Sequence, residues 1–344
     1  MFSKHAGSAV RFRAPRKVLA IGACAASVAL AAACSSGSSG SSASSSSSGT
    51  PSVTIAYVST TADQMLANVT ESAGLFKKYG VNVKVEFMDQ AAFMPALESG
   101  QVQFGLVSAP AAALATINGS PNIWVAQFES ALNLSLVANA STKTLKDLNG
   151  GSIAISSSGG SSDLLAQLAE QEGGISVKEV PLGNLQNDLT ALESGKVDSA
   201  ILGPPLTYEL QSKIPGAHVL LDFGDQQDSL PGLGLVAYGS WLSGSGNGAT
   251  TVKVLKAFVA GIQYYKSNPA AVEKIISKYS GTTSSALVAK SYQAAVSLLI
   301  NDPIPATDTQ QKLLNVLQNK YPAAKGFAAS GLVDQTYMKE ALDG

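Results

Sequence analysis

The stretch ALESGQVQFGLVSAP, residues 96–110, recurs 95 residues later as ALESGKVDSAILGPP, residues 191–205. In both copies a helical pattern ends at a glycine, a strand-like run of apolar residues follows, and the run stops at proline. Two copies of a helix–strand unit are too few for a solenoid. They predict two similar lobes that face each other. Chance recurrence is the alternative, because Ala, Ser and Gly are frequent in this chain.

Strand and helix patterns alternate on the N-terminal side of the first copy. Strand patterns at 53–57 and 81–87 are each followed by an amphipathic helical pattern, at 64–79 and 91–99, and each helical pattern is followed by a glycine. Strands that alternate with helices of this length are typical of a mainly parallel sheet covered on both faces. The predicted fold class is therefore α/β.

The second copy lies in a similar series, with strand patterns at 152–155, 177–180 and 199–202 and helical patterns at 162–172 and 185–194. From Thr250 onward the patterns are helical. We predict two chain crossings, near 137–141 and 222–232, that act as a hinge. The predicted organisation is a signal peptide at 1–33, a lipidated Ser-rich tether at 34–51, lobe 1 with C-terminal helices at 52–138 plus 231–344, and lobe 2 at 139–230.

The N-terminal segment has the pattern of a secretory signal peptide. Basic residues up to Lys17 precede sixteen uncharged residues, 18–33, whereas a membrane span needs about 20 apolar residues. The uncharged run ends in Leu30-Ala31-Ala32-Ala33-Cys34, which resembles a bacterial lipobox, with Ala31 where Leu is usual. We predict lipidation at Cys34. Cys24 also fits the local motif, and the segment could instead undergo plain cleavage or stay as an uncleaved anchor.

Residues 35–49 contain only Ser, Gly and Ala. Such a segment cannot bury enough apolar area to offset its ordering entropy, so we expect a flexible tether. No cysteine follows Cys34, so the exported chain could form no internal disulfide. Together these features predict an exported protein that is lipid-anchored to the outer face of a bacterial cell membrane.

Charge and residue counts exclude several functional classes. Five of the 23 basic residues lie in the first 17 positions, so the chain beyond residue 33 has 18 basic and 24 acidic residues, a net charge of −6. This balance argues against nucleic-acid binding. Beyond Cys34 the chain has one histidine, His218, and no cysteine, which leaves almost no material for a zinc site or a Cys/His nucleophile. We therefore expect no enzyme, no metal site and no cofactor.

Three further motifs carry a resemblance to a known family. Residues 74–81, GLFKKYGV, precede a strand pattern, the helix at 91–99 ends in ALESG, and residues 145–154 read LKDLNGGSIA, with Gly151 where Lys is usual. Over roughly 53–240 the chain resembles solute-binding proteins of ABC importers, in the nitrate/sulfonate/taurine and thiamine-precursor (NMT1/THI5-like) group. The resemblance implies a two-lobed, type II periplasmic-binding-protein fold with a ligand cleft and no catalysis. It also implies ABC permease and ATPase subunits as partners, and we expect a monomer.

Ligands of open α/β sheets bind beyond the carboxyl ends of the strands. This rule selects four loops, at 59–63, 108–110, 156–162 and 203–205. Gly159 and Gly160 would permit close backbone approach, and helix-start hydroxyls and amides can hold an anion, although helix capping by serine is the alternative. The predicted ligand-binding residues are Ser59, Thr60, Thr61, Ser108, Ala109, Ser157, Ser158, Gly159, Gly160, Ser161 and Pro204, with Trp124 as an aromatic wall.

The composition also constrains the ligand. No arginine occurs after Arg16, and arginine is the efficient group for clamping a carboxylate. Free amino acids are therefore disfavoured. We expect a small organic anion such as a sulfonate, held by neutral donors and captured by an importer's binding protein. The alternatives are a heteroaromatic vitamin precursor, such as a pyrimidine or a flavin, and a tethered sensor without transport.

Overall fold

The computed structural model describes residues 49–224 and 230–343, and within them ten strands form two five-stranded sheets. The predicted signal peptide, Cys34 and most of the Ser-rich tether lie outside the described residues. The strands are β1 (Ser52–Tyr57), β2 (Asn82–Phe87), β3 (Phe104–Ser108), β4 (Asn122–Gln127), β5 (Ser135–Ala138), β6 (Ser152–Ile155), β7 (Lys178–Pro181), β8 (Ser199–Leu202), β9 (His218–Asp222) and β10 (Leu233–Tyr238).

The two sheets have equivalent topologies. The first has the strand order β2-β1-β3-β10-β4 and the second the order β7-β6-β8-β5-β9. The first three strands in each order pair in parallel, and the fourth, β10 or β5, runs antiparallel to both neighbours. In each sheet this antiparallel strand is the one that the chain forms directly after it arrives from the other sheet. The repeated helix–strand units end in β3 and β8, which occupy the same central position.

Helices cover both sheets. The α-helices are α1 (Leu66–Ser72), α2 (Leu75–Lys78), α3 (Gln90–Glu98), α4 (Ala109–Ile117), α5 (Ser161–Gly173), α6 (Leu185–Glu193), α7 (Leu206–Lys213), α8 (Gly239–Leu242), α9 (Asn247–Ser267), α10 (Pro269–Ser280), α11 (Ser285–Leu298), α12 (Thr307–Lys320) and α13 (Thr336–Asp343). Short 3-10 helices span Asp63–Met65, Leu145–Leu148, Pro322–Ala324 and Ala329–Gly331. We call residues 49–127 and 233–343, with the first sheet, lobe 1, and residues 135–222, with the second sheet, lobe 2. The predicted α/β class with a helical C-terminal segment is confirmed.

The long helix α9 holds lobe 1 together. Its Phe258 ring lies 5.3 Å from that of Phe76 in α2 and 4.9 Å from that of Phe128, which follows β4. All three rings are almost fully buried. Burying an aromatic side chain of this size contributes a few kcal/mol, so α9 fixes the segment after β4 against the start of the lobe.

Close backbone packing sets the position of α3. A Cβ atom on Gly105, in β3, would lie only 2.0 Å from Cζ of Phe93, in α3. Only glycine lets the fully buried Phe93 ring rest on the strand at this point. The first helix of the repeat is thereby held directly over the strand that follows it.

The structure differs from the sequence predictions at two points in lobe 1. The helix expected at 64–79 is divided into a 3-10 turn, α1 and α2, and the break between α1 and α2 falls at Gly74, which adopts a left-handed conformation with φ of 69°. The first crossing was expected near 137–141, but β5 already pairs with β8 and β9 in the second sheet. The crossing therefore lies at 128–134, and lobe 2 begins before residue 139.

Across the part of the chain that the structure describes, no helix combines the length and apolar character needed to span a bilayer.

Candidate functional site

A cavity of ≈ 70 Å³ lies between the lobes, beyond the carboxyl ends of β1, β3 and β6. Both lobes and the first crossing contribute to its wall, as expected for a ligand site of an α/β sheet. Its lining residues are Val58, Ser59, Thr61, Asp63, Gln64, Gln90, Ser108, Glu129, Leu132, Asn133, Leu134, Ser156, Ser161, Ser162, Leu185 and Leu233. A single water needs roughly 10–15 Å³ measured in this way, so the enclosed space suits a ligand of few heavy atoms.

Four of the predicted residues line this cavity: Ser59, Thr61, Ser108 and Ser161. Ser108 is the N-cap residue of α4, and Ser161 is the first residue of α5. Their hydroxyl groups are in hydrogen-bond contact with each other across the two lobes. The strand-end rule therefore brings together the starts of two helices, one from each lobe.

The remaining predicted residues lie elsewhere. Ser157, Ser158, Gly159 and Gly160 line an outer cavity between α5 and the helices α3 and α4, and Thr60 lines a further cavity with Phe87 and Tyr279. Pro204 and Ala109 are buried: the Pro204 carbonyl accepts a hydrogen bond from Ala62 N, and Ala109 N donates to Gly232 O. Within the loop 157–160, Gly159 N donates to the Asp163 carboxylate, one turn into α5.

Trp124 is separated from the cavity by the core. It is 2% exposed, and its backbone pairs with Leu332 and Asp334 from the C-terminal segment. The Trp124 ring is therefore a core side chain of lobe 1. Residues more than 200 positions later in the sequence pack over it, which the local sequence could not indicate.

Ser156 and Ser162 line the cavity in place of the serines at 157 and 158. The Ser162 hydroxyl accepts a hydrogen bond from Ser156 N at 3.0 Å and lies 2.9 Å from the Ser156 hydroxyl. These two residues close the strand-to-helix turn after β6, so the first turn of α5 reaches the cavity.

Two carboxyl groups in the cavity wall were not among the predicted binding residues. Asp63 is 8% exposed and Glu129 is 1% exposed. Burial raises the pKa of Asp63 to about 6. Burial, and then the neighbouring charge of Asp63, raise the pKa of Glu129 well above its ordinary value. Excluded water and a like charge both disfavour the ionised form of a carboxyl group.

Neither carboxyl group has all its oxygens paired. Asp63 Oδ1 and Glu129 Oε1 have no hydrogen-bond partner, while Glu129 Oε2 accepts from Leu233 N at 3.1 Å. None of the described residues that line the cavity is basic. Burying an unpaired charge is costly. A ligand that donated hydrogen bonds to these two oxygens would therefore be favoured, because the protein supplies no donor for them.

Local structure explains how the two carboxyl groups meet. Asp63 begins the 3-10 turn before α1, at the end of a loop that the strand-end rule had selected. Glu129 is the second residue of the first crossing, where its backbone N–H donates to Leu233 O at 3.1 Å and it forms an isolated antiparallel bridge with Leu299. The available sequence signal was that Glu129 is the one charged residue in the mostly apolar run from Trp124 to Leu132.

The lobes contact each other around the cavity, which is the closed arrangement of a two-lobed protein. Ala62 N donates to Pro204 O at 3.0 Å, and Asn184 Nδ2 donates to Asp89 Oδ1 at 3.0 Å. Farther out, the Thr282 hydroxyl contacts the Glu209 carboxylate, and the Lys290 ammonium lies 3.9 Å from the centre of the Tyr208 ring. These contacts join segments of lobe 1 to segments of lobe 2.

Residues 64–272, well over half of the chain, match the protein family described as NMT1/THI5 like. The chain belongs to this family. The match includes strands of both sheets and the cavity residues from Gln64 to Leu233. The family resemblance predicted from the sequence motifs is thus confirmed. No curated protein sequence matches the chain significantly.

Solved structures share the fold at low sequence identity. The ligand-binding component of an ABC-type import system from Staphylococcus aureus has a TM-score of 0.70 and 14% identity, covering 85% of this chain and 99% of that one. The periplasmic aliphatic sulphonate binding protein SsuA from Escherichia coli has a TM-score of 0.64 and 18% identity, covering 84% and 99%. The periplasmic nitrate-binding protein NrtA from Synechocystis PCC 6803 has a TM-score of 0.69 and 13% identity, covering 85% and 88%. The predicted two-lobed periplasmic-binding-protein fold is confirmed.

The three solved structures named above are those of ligand-binding proteins. Within residues 49–224 and 230–343 no group of three or more His, Cys, Asp or Glu side chains is placed to hold a metal ion.

Proposed function

We propose that this chain is the extracytoplasmic substrate-binding component of an ABC importer and captures a small sulfonate between its lobes. The observation that carries the proposal is the cavity of ≈ 70 Å³ whose wall is built from strand-end loops of both lobes. A ligand there contacts both lobes at once, so it stabilises the closed form relative to the open form. It shifts that equilibrium only by its differential affinity for the two forms.

The starts of α4 and α5 supply the anion-binding groups. The Ser108 and Ser161 hydroxyls meet at this point, and the N-terminal end of a helix carries a partial positive charge. At the start of α4, Ala109 N is already bonded to Gly232 O and Pro110 has no N–H, so the Ser108 hydroxyl is the donor there. A sulfonate has three acceptor oxygens, so the serine hydroxyls of both helices and the N–H groups at the start of α5 can bind it without a basic side chain. The lack of arginine after Arg16 agrees with this mode of binding.

Export and anchoring complete the proposal. The signal-like segment and Cys34 would place the protein on the outer face of the cell membrane, and the Ser-rich tether would let it reach a permease. The closed, loaded form is the form that the permease and its ATPase would recognise. A tethered sensor would use the same closure, and uptake of labelled ligand by cells with and without this protein separates the two.

A heteroaromatic vitamin precursor is the second candidate. The Asp63 and Glu129 oxygens favour it, because they could accept hydrogen bonds from a ring amino group of a pyrimidine. The neighbouring cavity lined by Thr60, Phe87 and Tyr279 offers aromatic rings beside the closed site.

Thermal unfolding with a ligand panel tests the proposal. The panel contains short alkanesulfonates, aminoalkanesulfonates, nitrate, pyrimidines, flavins and free α-amino acids. A ligand at 100 times its dissociation constant adds about 2.7 kcal/mol of stability, which is seen as a raised melting temperature. We expect the largest increase with sulfonates and none with α-amino acids. A response to pyrimidines alone favours the second candidate, and tight binding of an α-amino acid contradicts the argument from the missing arginine.

A further inference from the structure

We infer that the carboxyl groups of Asp63 and Glu129, the acid pair, take up a proton when an anion binds and donate hydrogen bonds to that anion. The proton is then a second ligand of the site, and the affinity for a permanently charged anion rises as the pH falls. The inference rests on the proposed function, because it assigns further groups that hold the captured sulfonate.

The first argument is that each carboxyl group has an oxygen for which the protein supplies no partner. Asp63 Oδ1 and Glu129 Oε1 are both buried and belong to residues that line the cavity. The other Glu129 oxygen, Oε2, already accepts a hydrogen bond from Leu233 N at 3.1 Å. A proton on Oε1 would leave that bond intact and would provide an O–H donor in the cavity wall.

The second argument concerns the charge of the closed cavity. The residues that the structure describes in the cavity wall include no basic side chain, so an anion beside two ionised carboxylates would be repelled without a compensating cation. The enclosed space of ≈ 70 Å³ is small, so a bound anion stays close to both residues. Protonation removes the repulsion and supplies neutral O–H donors. A sulfonate has only acceptor oxygens, which can accept hydrogen bonds from these donors.

The third argument is that the acid pair can take up a proton near neutral pH. Burial raises the pKa of Asp63 to about 6, and burial together with the charge of Asp63 raises the pKa of Glu129 well above its ordinary value. A bound anion is a further negative charge, so it raises both pKa values again. Each anion should therefore draw about one proton from the solvent at about pH 7.5. By linkage, the proton and the anion raise each other's affinity by the same factor.

The titratable groups around the acid pair have other partners. Tyr265 of α9 interacts electrostatically with both carboxylates, and its hydroxyl donates to Ala62 O at 2.7 Å. Tyr292 of α11 stacks on Tyr265 with the ring centres 5.7 Å apart. The contacts of the remaining groups on the neighbouring elements are Tyr292 with the carbonyls of Tyr265 and Lys266, Lys266 with Leu299 O and Asn301 Oδ1, Glu273 with Tyr292, Lys278 with the Tyr279 ring, Lys290 with the Tyr208 ring, and Glu209 with Thr282. The acid pair is therefore the group that gains the proton.

Calorimetric titration with three matched probes tests the inference: methanesulfonate, nitrate and methanesulfonamide. The two anions keep their charge across the neutral pH range, and the sulfonamide has nearly the shape of the sulfonate without its charge. We expect methanesulfonate to bind roughly tenfold or more tightly at about pH 6 than at about pH 8, because one linked proton changes the affinity by up to about tenfold per pH unit. Titration in two buffers of different ionisation enthalpy should show proton uptake with methanesulfonate and none with methanesulfonamide.

Asp63→Asn is the informative variant. Asn keeps the size of the side chain and supplies an N–H donor that needs no proton. At about pH 8 this variant should therefore bind methanesulfonate roughly tenfold more tightly than the wild type does, with reduced proton uptake. Adding Glu129→Gln should abolish the remaining pH dependence. A purely structural role of Asp63 would not produce a gain in affinity that is confined to the higher pH.

Asp188→Asn is the matched control. Asp188 is also fully buried with two unpartnered carboxyl oxygens, and burial raises its pKa to about 8, but it lies in α6 and does not line the cavity. Its substitution should leave the proton uptake and the pH dependence of binding unchanged. Circular dichroism at each pH confirms that every variant is folded.

The outcomes separate the inference from the proposed function. Equal affinity for methanesulfonate at the two pH values, or proton release on binding, overturns the inference and leaves the sulfonate receptor standing. Proton uptake with nitrate and no binding of methanesulfonate supports the inference and contradicts the sulfonate assignment. Absence of binding by both anions at both pH values overturns both proposals. Unchanged proton uptake in the double variant Asp63→Asn, Glu129→Gln overturns the inference.

Discussion

Replacing Asp63 by Asn should increase the free energy of unfolding of the ligand-free protein near neutral pH, and should do so less in acid. Burial raises the pKa of this carboxyl from 3.8 to about 6 in the folded protein. The folded state therefore binds the proton more tightly than the unfolded chain. The contribution of Asp63 to stability is most favourable when the pH is below its pKa in the unfolded chain. It is lost as the pH rises through its pKa in the folded protein.

These two pKa values determine how much the free energy of unfolding should change. Keeping the buried carboxyl ionised costs about 3 kcal/mol at about pH 7.5 and about 1 kcal/mol at about pH 4.5. Asn keeps a carbonyl acceptor for the side chain of Thr61, whose hydrogen bond lowers the Asp63 pKa, and it removes the charge. The variant should thus gain up to about 3 kcal/mol at the higher pH and roughly a third of that at the lower pH.

Denaturant unfolding of wild type and Asp63→Asn at the two pH values measures this difference. An equal gain at both pH values would mean that the substitution acts through packing rather than through ionisation. A loss of stability near neutral pH would mean that the carboxylate is already compensated, and it would refute the reasoning about the unpaired oxygen.

Three further predictions concern single residues. Gly261→Ala should destabilise the fold by about 1–3 kcal/mol in denaturant unfolding, because the new Cβ would lie 2.1 Å from Thr70 Oγ1 in α1. Adding Thr70→Ala to this variant should recover part of the lost stability. Asp89→Ala should weaken ligand binding about two- to fivefold, because the 3.0 Å hydrogen bond from Asn184 Nδ2 to Asp89 Oδ1 joins the two closed lobes. Asp89→Asn keeps an acceptor oxygen at this position and should bind the ligand almost normally. Cys34→Ala should release the protein from membranes and abolish fatty-acid labelling, and continued labelling of this variant would move the predicted anchor away from Cys34.

Local patterns were sufficient to predict the fold class. Alternating strand and helix signals, with glycine at helix ends, depend on neighbours only a few residues away. The break of the first helix at Gly74 had a local cause as well, since a left-handed glycine ends a helix. The first crossing was misplaced for a different reason: Ser135–Ala138 form a strand only because β8 and β9, far along the chain, pair with it.

The site was predictable only in part. The strand-end rule found the loops that carry Ser59, Ser108 and Ser161, because it depends on topology alone. It selected the loop that ends at Asp63 but not Glu129, since the two residues come from segments 66 residues apart that meet through contacts with β10 and α9. Trp124 was misjudged for the same reason, because the residues that bury it belong to the C-terminal segment.

The repeat that predicted two similar lobes also shows why they contribute differently to the site. In the aligned copies Ser108 of lobe 1 corresponds to Gly203 of lobe 2. Ser108 directs a hydroxyl to the cavity, whereas a Cβ on Gly203 would lie 2.7 Å from Asn133 O and 3.1 Å from Thr61 Cγ2. The glycine thus lets the crossing and the lobe 1 loop approach β8 closely, next to the bond from Ala62 N to Pro204 O. One fold unit therefore provides ligand contacts in lobe 1 and a closing surface in lobe 2.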